Sequence, residues 1–445
     1  MNKDNIVVGL DIGTTKICAI VGKQNEYGKI NILGLGKAES NGVERGVVNN
    51  IDMTVEAIRL AVEEAEKQSG VDIQVVHVGI AGEHIRSAQH KGIITLDNPD
   101  REITAQDVER LHADMFKIAT PPGDEIIHVL PQEYTVDGNR GVKHPVGMSG
   151  VRLEGNFHII TGQSGAANNI YKCVRKAGLE AIELVLEPLA SSAAVLSEEE
   201  MEAGVCLVDI GGGTTDIAIF ADKIIRHTAV IPFGGNTVTN DIFRGCHIMR
   251  RHAEELKVKF GSALSAAVRE DEIISLISLK DRSPKQIHKR MLASLIEARM
   301  KEIMEFVAAE VHASGYLDSL VGGIVLTGGG SQLSHMKQLA EHVTGMDARI
   351  GSPGEHLAQG LVAEVNHPIF ATGVGLVIHA LQNEPLSEDR IQMTPEPRQS
   401  QQTRVAESKQ PNLTPTEPKA PRPGFLDKVK NWFEGHLQNT GNFIE

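Results

Sequence analysis

Cysteine, aromatic side chains, excess basic charge and long apolar runs are all scarce in this chain, and each shortage excludes something. Its 445 residues include four cysteines, Cys18, Cys173, Cys206 and Cys246, none of them in a C-x-x-C pair. Such spacing suggests neither a disulfide framework nor a thiolate zinc site, and predicts buried thiols in a reducing cytoplasm. Aromatic residues make up only 4% of the chain, so its cores must be mostly aliphatic. No apolar stretch approaches the ~18 residues of a membrane-crossing helix. The N-terminal apolar run is short and broken by Asp11, unlike a signal peptide. Lys and Arg number 44 against 58 Asp and Glu, a net charge of -14, which argues against nucleic acid as a partner. That excess sits before residue 386, because residues 386–445 carry eight acidic and eight basic side chains.

What the chain does have is length for two or more domains and a glycine-loop signature that occurs twice. Asp11-Ile12-Gly13-Thr14-Thr15-Lys16 follows the apolar run Ile6–Leu10, and Asp209-Ile210-Gly211-Gly212-Gly213-Thr214-Thr215-Asp216 follows Val205–Val208. Each reads as a buried strand, a tight turn and a second strand. Phosphate oxygens need converging N–H donors and close backbone approach, which glycine permits. Gly13, Thr14 and Thr15 would supply donors and Lys16 a charge, with Gly211–Thr215 answering from the opposite side. Asp11 and Asp209, at strand ends, are placed to hold Mg2+ through its waters. A third loop, Gly328-Gly329-Gly330-Ser331, follows the strand Gly323–Thr327 and enters a helix running to about His342, where free N–H groups can meet a ribose or phosphate.

Between these motifs the chain reads as a helix capped by Asp52 and ending at Gly70, then a buried strand at Ile73–Ile80. Residues 84–163 change character, with a helix near Thr104–Ile118, a strand at Glu125–Leu130, and a loop-rich stretch containing Pro121, Pro122, Pro131 and Pro145. Residues 164–200 read as helical, and residues 236–316 as helix-rich, ending in a long helix around Met291–Ala313. Eight of the 18 prolines fall in 385–423 among Gln, Ser, Thr and Glu, the composition of a flexible linker. Phe425, Leu426, Val429, Trp432, Phe433 and Leu437 then share one helical face, with the chain's only Trp among them. An aromatic-bearing amphipathic helix on such a leash suits a bilayer interface. Its lysines are matched by Asp427 and Glu434, so binding would rest on apolar burial. Docking on this protein's own body or on a partner groove is the alternative.

The three loops, in this order, resemble the actin-like ATPase superfamily. More closely, residues 5–380 resemble the FtsA family of bacterial cell-division proteins, through the insert at 84–163, the phrases Ile231–Asn236 and Glu254–Gly261, and the terminal linker and helix. The fold this implies is α/β: two related ribonuclease-H-like halves around a nucleotide cleft, with an inserted α/β subdomain and a disordered tail ending in an amphipathic helix. Residues 1–83, with 164–200 and about 360–382, would form domain 1, and 84–163 the insert. Residues 201–235 and 317–359 would form the core of domain 2, 236–316 its helix-rich subdomain, 383–423 the linker and 424–437 the membrane helix.

By the same resemblance ATP and Mg2+ would occupy the cleft, with weak or slow hydrolysis. Glu187 would position the attacking water, Gly234 and Gly235 would lie near the nucleotide, and Glu254 and Lys257 would border the adenosine. Arg299 and Glu302 would contact the C-terminal peptide of the tubulin-like FtsZ. The protein would polymerise with itself, engage other division proteins through the insert, and tether FtsZ filaments to lipid on the cytoplasmic face of the inner membrane at the division septum. Two further readings share the fold: a small-molecule kinase and a pilus-assembly adaptor. Fold alone does not choose among the three.

Overall fold

The structure, a computed structural model, describes residues 6–96, 98, 101–276 and 284–383. Two sheets dominate it, and their strand orders match. In the first, Ile6–Ile12, Lys16–Gln24 and Ile30–Glu39 form an antiparallel meander, while Val75–Ile80 and Glu180–Leu186 extend the other side of Ile6–Ile12 in parallel. In the second, Val205–Ile210, Thr215–Ala221 and Ile224–Ile231 form the meander, and Ile324–Thr327 and Ala348–Ile350 the parallel extension. The first sheet gains one more edge strand, Leu357–Gly360. The central strands are nearly continuous runs of Val, Ile and Leu because both faces are covered. This is the pair of related halves expected from the repeated motif.

Between the halves cross two helices, Glu187–Val195 and Ala371–Asn383. Their small residues let the backbones approach: a Cβ on Gly375 would lie 1.8 Å from the Ala190 carbonyl oxygen. A third sheet, Arg86–Thr95, Arg152–Gln163, Asp124–Val136 and Asn139–Val142, carries the helix Ala105–Met115 and a separate core around Leu111, Leu153 and Phe157. It leans on Ile224–Ile231, the edge strand of the second half. Ser87 Oγ donates to the Thr228 carbonyl (3.0 Å), Gln132 Nε2 to the Ile225 carbonyl (3.0 Å), and His158 Nε2 shares a hydrogen bond with Thr228 Oγ1 (2.9 Å). Side chains of the insert thus cover a strand edge that would otherwise be open.

Several local expectations need correction. The helix Ile51–Ser69 is capped by Asn50, whose side chain accepts from the Met53 N–H, and not by Asp52, which lies inside the first turn. The strand Asp124–Val136 runs through Pro131. The missing N–H is tolerated because Pro131 sits at a register shift, outside the segment that pairs with Asn139–Val142. Residues 164–200 are not all helical, since Glu180–Leu186 is a strand between helices. After Gly328 comes a short 3-10 turn, Gly329–Gln332, and the α-helix begins only at Met336. All four cysteines are buried and unpaired, and burial pushes the Cys18 thiol up to about 12. Among the described residues no helix is long and apolar enough to cross a membrane.

The crossing of the two small-residue helices gives a stability prediction. Gly375→Ala should cost about 2–3 kcal/mol through overpacking. Gly165→Ala, on an open helix surface, should be neutral or stabilising. Paired thermal melts check both.

Candidate nucleotide-binding site

The two glycine hairpins are built to one plan. Asp11 lies opposite Cys18 and Ile12 opposite Ile17, while Asp209 lies opposite Asp216 and Ile210 opposite Thr215. One turn is closed by the Gly13 N–H donating to the Lys16 carbonyl (3.0 Å), the other by Gly211 N–H to the Thr214 carbonyl (2.9 Å). Lys16 therefore has Thr214 as its counterpart, and Cys18 has Asp216. The halves share a backbone but differ in charge.

Their tips touch. A Cβ on Gly212 would lie 2.4 Å from Thr15 Cγ2, and one on Gly213 would lie 2.6 Å from Thr14 Oγ1 and 2.8 Å from Arg45 Cα. Any larger residue at either position would force the tips apart. The Gly46 N–H donates to Thr14 Oγ1 (3.3 Å), so the Arg45-Gly46 turn, with φ of 49 and 78, forms a third wall.

Carboxyls crowd this junction. Lys16 Nζ pairs with Asp11 Oδ2 at 2.7 Å; burial opposes its charge, but Asp11, Cys18 and Glu187 hold the ammonium above its ordinary range. Burial, with repulsion from Asp11, Asp216 and Asp209, raises the Glu187 carboxyl well above normal. Burial pushes Asp209 up to about 6, with Asp11 adding and the Ser191 hydroxyl, donating at 2.7 Å, opposing. Asp216 rises to about 7 through burial and the neighbouring Asp209, partly offset by the Thr214 hydroxyl. Its Oδ1 is buried without a hydrogen-bond partner. Four carboxyls and one ammonium, lined by backbone N–H groups, fit a polyphosphate carried with a divalent cation. Among the described residues no three His, Cys, Asp or Glu side chains converge to hold a metal directly. An ion held through its waters does not need them to.

The remaining expected residues gather around the second hairpin. The Gly235 N–H donates to the Gly211 carbonyl (2.9 Å), and Gly234 packs so tightly that an added Cβ would lie 2.6 Å from the same oxygen. Lys257 Nζ donates to the Gly235 carbonyl (3.0 Å) and pairs with Glu254 (2.8 Å), which also accepts from the Thr239 hydroxyl. These two residues therefore brace the start of the helix Gly235–Cys246 and are more than a surface ion pair. Gly328, with φ of 78, lets the third loop approach Asp209, and Gly330 lies against Ile210. Two hydroxyls expected to serve a ligand are engaged within the protein, Thr215 donating to the Phe233 carbonyl and Thr214 to Asp216; the Ser331 hydroxyl likewise donates to the Gly328 carbonyl. Gly329 is the loosest member, with only an ordinary contact to Ile369.

Four participants were not foreseen. Asp216 closed the second glycine motif with no role assigned to it, and it stands at the same offset from its Asp-Ile-Gly as Cys18 does. Ser191 and Thr372, one from each crossing helix, share a hydrogen bond at 3.0 Å beside Asp209, and nothing in a small-residue run marks that pairing. The Arg45 turn carried no motif at all. Away from the cleft, Arg299 and Glu302 pair with each other, and Arg299 is held by both oxygens of Asp241 (2.6 and 3.2 Å). With Arg244, Leu295 and Ala298 they line an open groove of 370 Å³. The six apolar residues assigned to the membrane helix, from Phe425 to Leu437, lie outside the described residues, as do residues 384–423 of the expected linker, whose first residue, Asn383, instead ends the helix Ala371–Asn383.

Comparison with known proteins decides the lineage. A family model for the cell division protein FtsA matches residues 206–375, and one for the SHS2 domain inserted in FtsA matches residues 82–161. The cell division protein FtsA of Pseudomonas aeruginosa is 42% identical over 432 residues, covering 97% of this chain and 98% of that protein. The chain belongs to the FtsA family. FtsA of Escherichia coli is 36% identical over 394 residues, covering 87% of this chain and 93% of that one. A chain of a solved PilM-PilN type IV pilus biogenesis complex shares the fold, with a TM-score of 0.60 at 16% identity over 85% of this chain and 99% of its own. This chain is thus an FtsA-family cell-division protein with an actin-like fold and the family's inserted domain. Its likeness to the pilus protein extends to fold alone.

The crowded carboxyls also predict a pH dependence. Asp209 and Asp216 lie above their ordinary value of 3.8, so the folded protein binds more protons than the unfolded chain between that value and about 7. Their contribution to stability therefore falls as pH rises through this window. In nucleotide-free protein at pH 8, Asp216→Asn should raise stability by on the order of 2 kcal/mol, with a clearly smaller gain at pH 5. Denaturant titrations at the two pH values check it.

Proposed function

We propose that this chain binds Mg-ATP between its two glycine hairpins, assembles with itself, and tethers FtsZ filaments to the cytoplasmic face of the inner membrane at the division septum. The observation that carries the nucleotide reading is the meeting of Gly212 and Gly213 with Thr15 and Thr14 beside four carboxyls and Lys16. Asp11 and Asp209 would hold Mg2+ through its waters, and the ion would supply charge neutralisation for the phosphates. Thr14, Thr15, Gly212 and Gly213 would offer the phosphates backbone N–H groups and Lys16 its ammonium, since the Gly13 and Gly211 N–H groups already close their own turns. Glu254, Lys257 and the Gly328–Ser331 loop would border the nucleoside. Glu187 reaches the same junction and would orient the attacking water. Its carboxyl is held towards the protonated form, which favours slow turnover and a nucleotide that works as a switch.

The partner reading rests on the Arg299 groove. The helix Gly235–Cys246 starts against the Gly211 carbonyl and carries Asp241 and Arg244 to that groove. A helix of 12 residues spans about 18 Å, so one rigid element joins the phosphate loop to the peptide site. Other division proteins would engage the inserted sheet, and the face of Phe425, Leu426, Val429, Trp432, Phe433 and Leu437 would enter the lipid interface. One such helix binds weakly, so filament avidity would add to it.

One sedimentation experiment tests the tether. A labelled FtsZ C-terminal peptide should pellet with anionic vesicles only when the intact chain is present. A chain ending at Arg422 should leave both protein and peptide in solution. Arg299→Glu should pellet itself but carry roughly tenfold less peptide, as loss of a charge-assisted contact predicts. Equal pelleting by the intact and shortened chains would contradict the membrane role, and undiminished peptide with Arg299→Glu would contradict the groove.

A further inference from the structure

The strand Glu180–Leu186 runs directly into the helix Glu187–Val195, and no side chain caps the helix start. In a capping box, the N–H of the capping residue is met by the third residue of its own helix. That residue here is Leu189, which has no acceptor. Leu186 is also the last residue of the strand register, opposite Ile80. The Leu186 N–H instead donates to Nε2 of His128 at 3.0 Å.

His128 belongs to the strand Asp124–Val136 of the inserted sheet, so the bond crosses from one subdomain to another. Burial, with His379 nearby and Glu183 opposing, pushes its pKa down to about 4. The ring is therefore neutral near pH 7. An Nε2 that accepts a hydrogen bond places the ring proton on Nδ1. On the other side, the Glu187 side chain lies across Gly79, where an added Cβ would be 3.1 Å from Glu187 Cγ. Glu187 is thus seated on the backbone of Gly79 and approached along a peptide whose N–H is held by His128.

We propose that His128 is a positioning residue for Glu187, and that the inserted subdomain sets the entry of this carboxyl into the cleft through one imidazole-to-backbone hydrogen bond. The inference rests on the reading of Glu187 as the group that orients the attacking water. It also gives the insert a task inside the molecule, distinct from any surface it offers to partners.

The test compares His128→Leu, which removes the acceptor, with His128→Gln, whose amide oxygen restores one. In nucleotide-free protein, hydrogen exchange at the Leu186 amide should accelerate roughly tenfold in His128→Leu and return towards the native rate in His128→Gln. With ATP, His128→Leu should keep its Kd within about twofold while turnover falls roughly tenfold, and His128→Gln should recover most of the rate. Unchanged exchange in His128→Leu, or a glutamine variant no better than leucine, overturns the proposal. So does a loss of affinity matching the loss of rate. Exchange as predicted with no ATP bound by the native chain would instead overturn the nucleotide reading and leave the hydrogen bond standing. If His128→Leu does not fold, the nitrogen shifts of His128 in the native protein decide at pH 7: an unprotonated Nε2 supports the proposal and a protonated one overturns it.

Discussion

Two glycine turns, one from each half, meet tip to tip, and around them four carboxyls share one ammonium. Neither condition is comfortable by itself. Backbones approach this closely only because Gly212 and Gly213 lack the Cβ that would strike Thr15, Thr14 and Arg45. Carboxyls remain this crowded only because Asp11 pairs with Lys16 while Glu187, Asp209 and Asp216 are displaced towards their protonated forms. A cation with a polyphosphate would relieve the second condition and alter the first.

The rest of the fold is arranged around that junction. Ser191 and Thr372, from the two crossing helices, meet beside Asp209, so the crossing helices share a polar contact with the second glycine hairpin. The helix Gly235–Cys246 leads from that loop to the Arg299 groove. The inserted sheet leaves the first half but leans on the edge strand of the second through Ser87, Gln132 and His158. Any change in the spacing of the tips must pass through at least one of these contacts. That is the physical sense in which a nucleotide could govern assembly and partner binding.

Much of this was legible in the sequence because phosphate loops are local. Asp-Ile-Gly after a run of Val and Ile says strand, then tight turn, and its repetition says two halves, as the matching sheet orders show. What stayed hidden depended on three-dimensional register. Asp216 is only the last residue of the second motif until Thr215–Ala221 pairs with Val205–Ile210 and sets it opposite Asp209. Thr214 and Thr215 appeared as ligand donors because sequence does not reveal which way a hydroxyl turns. The strand Glu180–Leu186 was lost between helices because its two glutamates and short length blur its alternation. Asn50 supplanted Asp52 as a cap because the helix begins two residues earlier than the acidic position suggested.

The central claim is that this crowded, glycine-closed junction is a Mg-ATP site. Calorimetric titration of the native chain with ATP, with and without Mg2+, tests it most directly, with Asp209→Ala run alongside. Binding should depend on Mg2+ and be strongly weakened in Asp209→Ala. Absence of binding by the native chain, or affinity indifferent both to Mg2+ and to Asp209, would contradict it.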